Sequence, residues 1–243
     1  MPRLSSISAS VRQLKNSFIP INRLPPEVLA LVPTFRESER DLIRATAVCR
    51  HWRRSLIYTP SLWTKIACSK RERTHAFTPH VQAYLERFGS VPIDVQIHAR
   101  AFRLLACHTG RISSLRMFLN APVDFEEIAE RFSKPAPILK AISLRVNVLD
   151  DPTLDLPSTF LEPFRSSVRE LALHGTILSP CKFPQVTRFT LIANHYIGVP
   201  SAVLLDTLEQ MPLLRFFEAT YTRLPEVIPG IVWSHFRIWN RLH

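Results

Sequence analysis

Three stretches of nine residues carry one arrangement of apolar side chains, and that arrangement restricts the architecture more than anything else in the chain. They are Ile112-x-x-Leu115-x-Met117-x-x-Asn120, Leu139-x-x-Ile142-x-Leu144-x-x-Asn147 and Val186-x-x-Phe189-x-Leu191-x-x-Asn194. Alternation in the middle of each stretch puts side chains on opposite faces of a strand, one face into a core. The closing Asn can bond backbone groups left open at a turn. One such strand cannot bury its apolar face alone, so units of this kind stack and pair their strands side by side.

The pattern is that of the leucine-rich-repeat template LxxLxLxxN. Val168-x-x-Leu171-x-Leu173 follows it as far as Thr176, which replaces the Asn, and Pro92-x-x-Val95-x-Ile97 and Leu214-x-x-Phe217-x-Ala219 are weaker copies. Successive starts differ by 20, 27, 29, 18 and 28 residues, mostly within the usual period of about 20–29. The short interval from Val168 to Val186 has no room for a helix, and Pro180 and Pro184 inside it suggest an extended return. Helical spacing is expected instead in Phe125–Phe132 and Ala202–Met211. The spacing thus predicts an irregular α/β solenoid of leucine-rich-repeat type over 91–222. A C-terminal cap follows over 223–243, where the stripe Ile228, Ile231, Val232, Phe236, Trp239 and Leu242 favours a helix.

The N-terminal third is organised differently. In residues 22–66, Leu24-Pro25-Pro26-Glu27 forms an extended lead-in whose prolines can start a helix. Leu42, Ala45, Cys49, Trp52 and Leu56 then recur at steps of three and four, the stripe of an amphipathic helical pair. Thr59-Pro60-Ser61-Leu62-Trp63 closes the segment as a turn with an aromatic anchor. Three short helices with this much apolar surface are expected to leave part of it as an interface.

LPPEVLALVPTF, AVCRHWRR and TPSLW, in this order and spacing, resemble an F-box, in particular the three-helix F-box that opens many fungal F-box/leucine-rich-repeat proteins. The resemblance covers about 45 residues. It implies a partner, the Skp adaptor of a Skp–cullin–F-box ubiquitin ligase, and through it a cullin. Matched by position, it implies adaptor contacts at Leu24, Pro25, Val28 and Leu29. It further implies them at Val48, Cys49, Trp52 and Leu56 of the last helix and at Leu62 and Trp63 of the closing motif. Pro33 departs from the family pattern and is expected to end the first helix early.

Charge separates the two parts. Residues 1–75 carry 14 Lys/Arg against 5 Asp/Glu, whereas residues 76–243 carry 17 against 15. The basic third suits steering toward an acidic protein partner. A nucleic-acid binder would also want such a patch, but no recognisable nucleic-acid motif accompanies it. Residues 1–21, without an acidic side chain, are expected to be a disordered basic leader, although Val11, Leu14 and Phe18 fit one helical face and the composition overlaps with transit peptides. Residues 67–90 are expected to be a linker and a joining helix, with Gly89 placed to end it.

Nothing in the sequence reads as an enzyme. The five glycines are scattered, no GxSxG, HExxH or phosphate-loop pattern occurs, and the nine histidines do not pair at ligand spacing. The four cysteines lie far apart, without zinc spacing, and no apolar run approaches the ~18 residues of a membrane span. The expectation is a cytoplasmic or nuclear, non-catalytic substrate receptor without cofactor, metal, membrane or specific nucleic acid, whose repeats hold an unknown protein target. The alternative is a repeat-based scaffold or nucleic-acid-associated protein. Target contacts are expected on strand residues between the core positions: Arg116, Phe118, Arg145, His174, Arg188 and Phe216. Arg116, Arg145 and Arg188 are expected to form one row suited to an acidic or phosphorylated segment.

Overall fold

The computed structural model describes residues 2–35, 39–67, 81–82, 84–87, 89–119, 128, 136–146, 155–156, 161–178, 182–192, 201–221 and 236–240. Backbone contacts divide the chain into two units, one of Met1–Ile66 with His80–Val91 and one of Ala67–Pro79 with Pro92–His243. The joining segment at 80–91 therefore belongs with the helical unit.

The first unit begins with helix α1 (Pro2–Ser17), which corrects the expectation of a disordered leader. Its sequence has no proline between Pro2 and Pro20, so nothing removes an interior hydrogen bond. A 3-10 turn at Pro20–Arg23 leads to α2 (Pro26–Leu31), where Pro26 occupies the first helical position and needs no amide hydrogen. Pro33 ends α2 as expected, and the chain continues as a 3-10 turn, Val32–Phe35. Then follow α3 (Glu39–Thr46), α4 (Arg50–Ile57), a 3-10 turn at Pro60–Trp63 and a short strand β1 (Lys65–Ala67).

Leu29, Ala30, Trp52 and Leu56 form the centre of this unit, with Val32, Ala45, Cys49 and Leu62 packed against them. Both tryptophans satisfy their indole N–H. Trp52 donates to Asn22 Oδ1 at 2.7 Å, and Trp63 to the Leu56 carbonyl at 2.8 Å. Trp63 is fully buried; Tyr84 meets it edge-on at 4.8 Å and the Arg87 guanidinium lies 4.5 Å from its ring centre. Residues 81–82 and 84–87 are helical, and Gly89 follows at φ 58°, a left-handed conformation that glycine adopts without Cβ strain.

In the second unit the six expected strand positions are all strands: β2 (Ile93–His98), β3 (Ile112–Leu119), β4 (Ala141–Val146), β6 (Glu170–His174), β8 (Arg188–Ile192) and β9 (Phe216–Tyr221). They lie parallel, each hydrogen-bonded to the next in this order. Register lines up the alternating apolar residues as buried ladders. One runs Val95, Leu115, Ile142, Leu171, Phe189, Phe217; the next runs Ile97, Met117, Leu144, Leu173, Leu191, Ala219. Phe189 and Phe217 stack with ring centres 5.6 Å apart. Burial of these ladders stabilises the unit, at about 25 cal/mol per Å² of apolar area removed from water.

The connections vary. After β2 come two 3-10 turns, Ala99–Leu104 and Ala106–Arg111, with Phe102 and Leu105 fully buried. Helix α5 (Ser201–Glu209) forms where Ala202–Met211 was expected helical, and Leu204 and Thr207 are buried on it. Of Phe125–Phe132 only Ile128 is described; it is helical and buried. The short interval after β6 contains no helix among its described residues. Gly175 turns the chain at φ 70° and β7 (Ile177–Leu178) pairs in parallel with β5 (Asp155–Leu156). Asn120, Asn147 and Asn194 lie outside the described residues.

The C-terminal tail differs from expectation. Phe236–Asn240 forms strand β10, parallel to β9 in the register Phe236–Phe217 through Asn240–Tyr221, not a helix. Phe236 and Ile238 alternate at period 2 while Phe236 and Trp239 keep helical spacing, and without β10 the outer edge of β9 would be unpaired, with backbone groups that a strand can satisfy and a helix cannot.

Candidate functional site

On the sheet face opposite the buried ladders, residues from neighbouring strands line a groove of about 460 Å³. Its geometry follows from strand register. The first rung runs Ser114, Ala141, Glu170, Arg188, Phe216, and the second Gln96, Arg116, Ser143, Ala172, Thr190, Glu218. The third runs His98, Phe118, Arg145, His174, Ile192, Thr220. Ala141, Ser143 and Ala172 are short, so they form the floor, and longer side chains rise around them.

Arg116, Arg145 and Arg188 all reach this face and are exposed, but they do not form one row. Each sits on a different rung, because Arg116 holds the middle outward position of its strand, Arg145 the last and Arg188 the first. Arg116 donates to Gln96 Oε1 at 3.2 Å. Arg188 lies 5.3 Å from the ring centre of Phe216, which is 59% exposed. Phe118 is only 8% exposed and packs on His98 with ring centres 5.2 Å apart, so it is a wall of the groove and not a free apolar anchor. His174 is half-buried, and its Nδ1 is buried without a hydrogen-bond partner. Burial first, then the positive charges of Arg145 and Arg116, lower its pKa from the ordinary histidine value. Ser143, Ala172 and Glu170 fall on this face by alternation alone, while the alignment of strands adds Ala141 and brings them together as floor and rim.

In the helical unit the implied adaptor contacts divide into two groups. Leu29, Trp52, Leu56 and Trp63 are buried in the unit's own core, where an approaching protein would not touch their side chains. This corrects the expectation for those four: an amphipathic stripe marks burial without saying against what. Cys49, Leu24 and Leu62 are half-buried, while Pro25, Val28 and Val48 are exposed. Val48 is 61% exposed, and Tyr58, which no sequence signal marked, 79%. Between α2 and α4 lies an open groove bordered by Pro26, Glu27, Leu31, Arg54, Tyr58 and Leu62, partly apolar and carrying both the carboxylate of Glu27 and the cation of Arg54.

The helical unit keeps exposed apolar side chains that its core does not use, and the parallel sheet, taken by itself, carries a groove lined by three arginines. Residues 21–69 match the F-box-like family model, so this segment is an F-box-like domain. No curated protein matches the chain.

Proposed function

We propose that the protein is a non-catalytic substrate receptor of a Skp–cullin–F-box ubiquitin ligase. The F-box-like domain at 21–69 carries this reading, since F-box domains couple their proteins to the Skp adaptor. Val28, Leu31, Val48 and Tyr58 are exposed apolar side chains that the unit's core does not use. Arginines 50, 53 and 54, all exposed on α4, favour an acidic partner and speed its approach. The sheet would hold the target in its groove, and the strand spacing supports reading it as an irregular leucine-rich-repeat array. Transfer of ubiquitin is then the work of other subunits, and this chain contributes proximity and orientation. Such a receptor would act in the cytoplasm or nucleus.

The test is co-purification of the full chain with a Skp adaptor. The wild type should retain it, and Val28→Asp with Val48→Asp should release it while melting unchanged, because an anchor contact is typically worth ~2 kcal/mol or more. Undiminished binding by the folded double variant overturns these two side chains as contacts. A wild type that ignores the adaptor but binds duplex nucleic acid at physiological salt overturns the receptor reading itself.

A further inference from the structure

The groove on the sheet has two unequal ends. Toward the start of the strands, Arg188 has Glu170 beside it in register on the adjacent strand, and the carboxylate offsets its charge. Toward the end of the strands, Arg116 stands on β3, with Arg145 on β4 and His174 on β6 as register neighbours. Across β2, β3, β4 and β6 the second and third rungs hold Gln96, Arg116, Ser143 and Ala172, then His98, Phe118, Arg145 and His174. No carboxylate is among them. Neighbouring strands are about 4.8 Å apart, so Arg116, bonded to Gln96 on its β2 side, and Arg145 and His174 border one groove around Ser143 and Ala172, whose short side chains leave space open. Like charges held together at a half-covered floor repel each other and favour an anion between them. Arginine forks match the geometry of oxyanions, and the Ser143 hydroxyl adds a donor from the floor.

We propose that this end of the groove binds a dianionic oxyanion of the phosphate or sulfate type between Arg116, Arg145 and His174, and that His174 takes up a proton as the anion enters. With no anion bound, burial disfavours the charged imidazole and the positive charges of Arg145 and Arg116 add to this, so the His174 pKa is lowered. Ile192, its neighbour on β8, and Phe118 are uncharged, and Glu170 lies at the other end of its own strand. A bound dianion reverses the local field and turns the imidazole into a third charged donor. Between the histidine's titration points with the site empty and filled, binding carries one proton in, so affinity rises as pH falls. Above that window the imidazole stays neutral in both states, and below it charged in both. The oxyanion can be free in solution or carried on a phosphorylated side chain; only the second source rests on the receptor reading, and adaptor co-purification tests that reading separately.

Sulfate is the decisive probe, because its charge does not change in this pH range and any pH dependence then belongs to the protein. Isothermal titration of the full chain with sulfate, at constant ionic strength set by chloride, should show saturable binding. Its affinity should rise by up to about tenfold per pH unit within the window. Heats in buffers of different ionisation enthalpy should report proton uptake, and the His174 ring signal in NMR should titrate at higher pH with sulfate present. Arg116→Ala with Arg145→Ala should weaken binding at least about tenfold, with the melting temperature checked for each variant. The His174→Gln curve should run flat with pH. Tighter binding of a phosphoserine peptide than of sulfate assigns the anion to a protein; equal or weaker binding assigns it to a free oxyanion. Absence of saturable sulfate binding, full affinity in the folded double arginine variant, or an unchanged pH profile in His174→Gln each overturns the site.

Discussion

Replacing Trp63 by alanine removes a fully buried tryptophan of the helical unit, and the structure sets the size of the effect. The ring is fully buried, and truncating a core Trp typically costs about 3–5 kcal/mol. Its N–H is the donor to the Leu56 carbonyl, and leaving that acceptor buried and unpaired adds about 1 kcal/mol or more. The edge-on contact with Tyr84 adds about 0.5–1.5 kcal/mol beyond area. The sum, about 5 kcal/mol, rivals the whole stability expected of a unit this small at roughly 0.05–0.15 kcal/mol per residue. Trp63→Ala should therefore unfold the helical unit locally, whereas Trp63→Phe, which keeps most of the volume, should cost only about 1–3 kcal/mol. Hydrogen exchange at the α4 amides of the full chain reads this unit directly. Protection there should collapse in Trp63→Ala and fall partially in Trp63→Phe, while the β3 and β4 amides stay as slow as in the wild type. If Trp63→Ala keeps wild-type protection in α4, burial of Trp63 does not hold the helical unit together and its place as a partner contact must be reconsidered.

Three further outcomes follow from single contacts. Asn22→Ala removes the acceptor of the Trp52 indole and should lower stability by about 1 kcal/mol, measurable by urea denaturation. Gly89 sits at φ 58° with open space around its missing Cβ; Gly89→Ala should cost about 1 kcal/mol of conformational strain, and Gly89→Asn should recover part of it in thermal melts. Burial lowers the pKa of both His174 and His108, with Arg145 and Arg116 adding to the first and Arg111 to the second. The unfolded chain therefore binds protons first as pH falls below about 6.5, so stability is full above that value and declines below it; His174→Gln should flatten part of that slope in melts at pH 5 to 8.

Strand positions were legible because alternation over five or six residues has one interpretation once the apolar set repeats. The ladder from Val95 to Phe217 was readable in that sense from its spacing. Lateral order was not. Arg116, Arg145 and Arg188 read as a row only until each is given its place in the register, which sets them on three rungs. The helical unit failed differently: Trp52 and Leu56 carry the same signal whether they face a partner or Leu29, and only packing decides. Strand β10 was missed because a run as short as Phe236–Asn240 satisfies both periods and the unpaired edge of β9 chose between them. The groove floor was only half legible: alternation puts Ser143 and Ala172 on the outward face, but such short residues look like ordinary surface until longer neighbours surround them.

From β2 to β10, each strand of the main sheet is bonded to the strand that precedes it in the chain and the one that follows, with only the small β5–β7 pair set aside. Among the described strands of this sheet, no later one has to thread between earlier ones. A newly made strand thus needs only its predecessor as a template, so the sheet can grow in step with synthesis, at low cost in loop closure. The same layout lets a lineage lengthen or shorten this sheet by a whole strand and its connection, leaving every other pairing as it was. Groove chemistry would then change by addition of a rung's end residue, not by redesign of the floor.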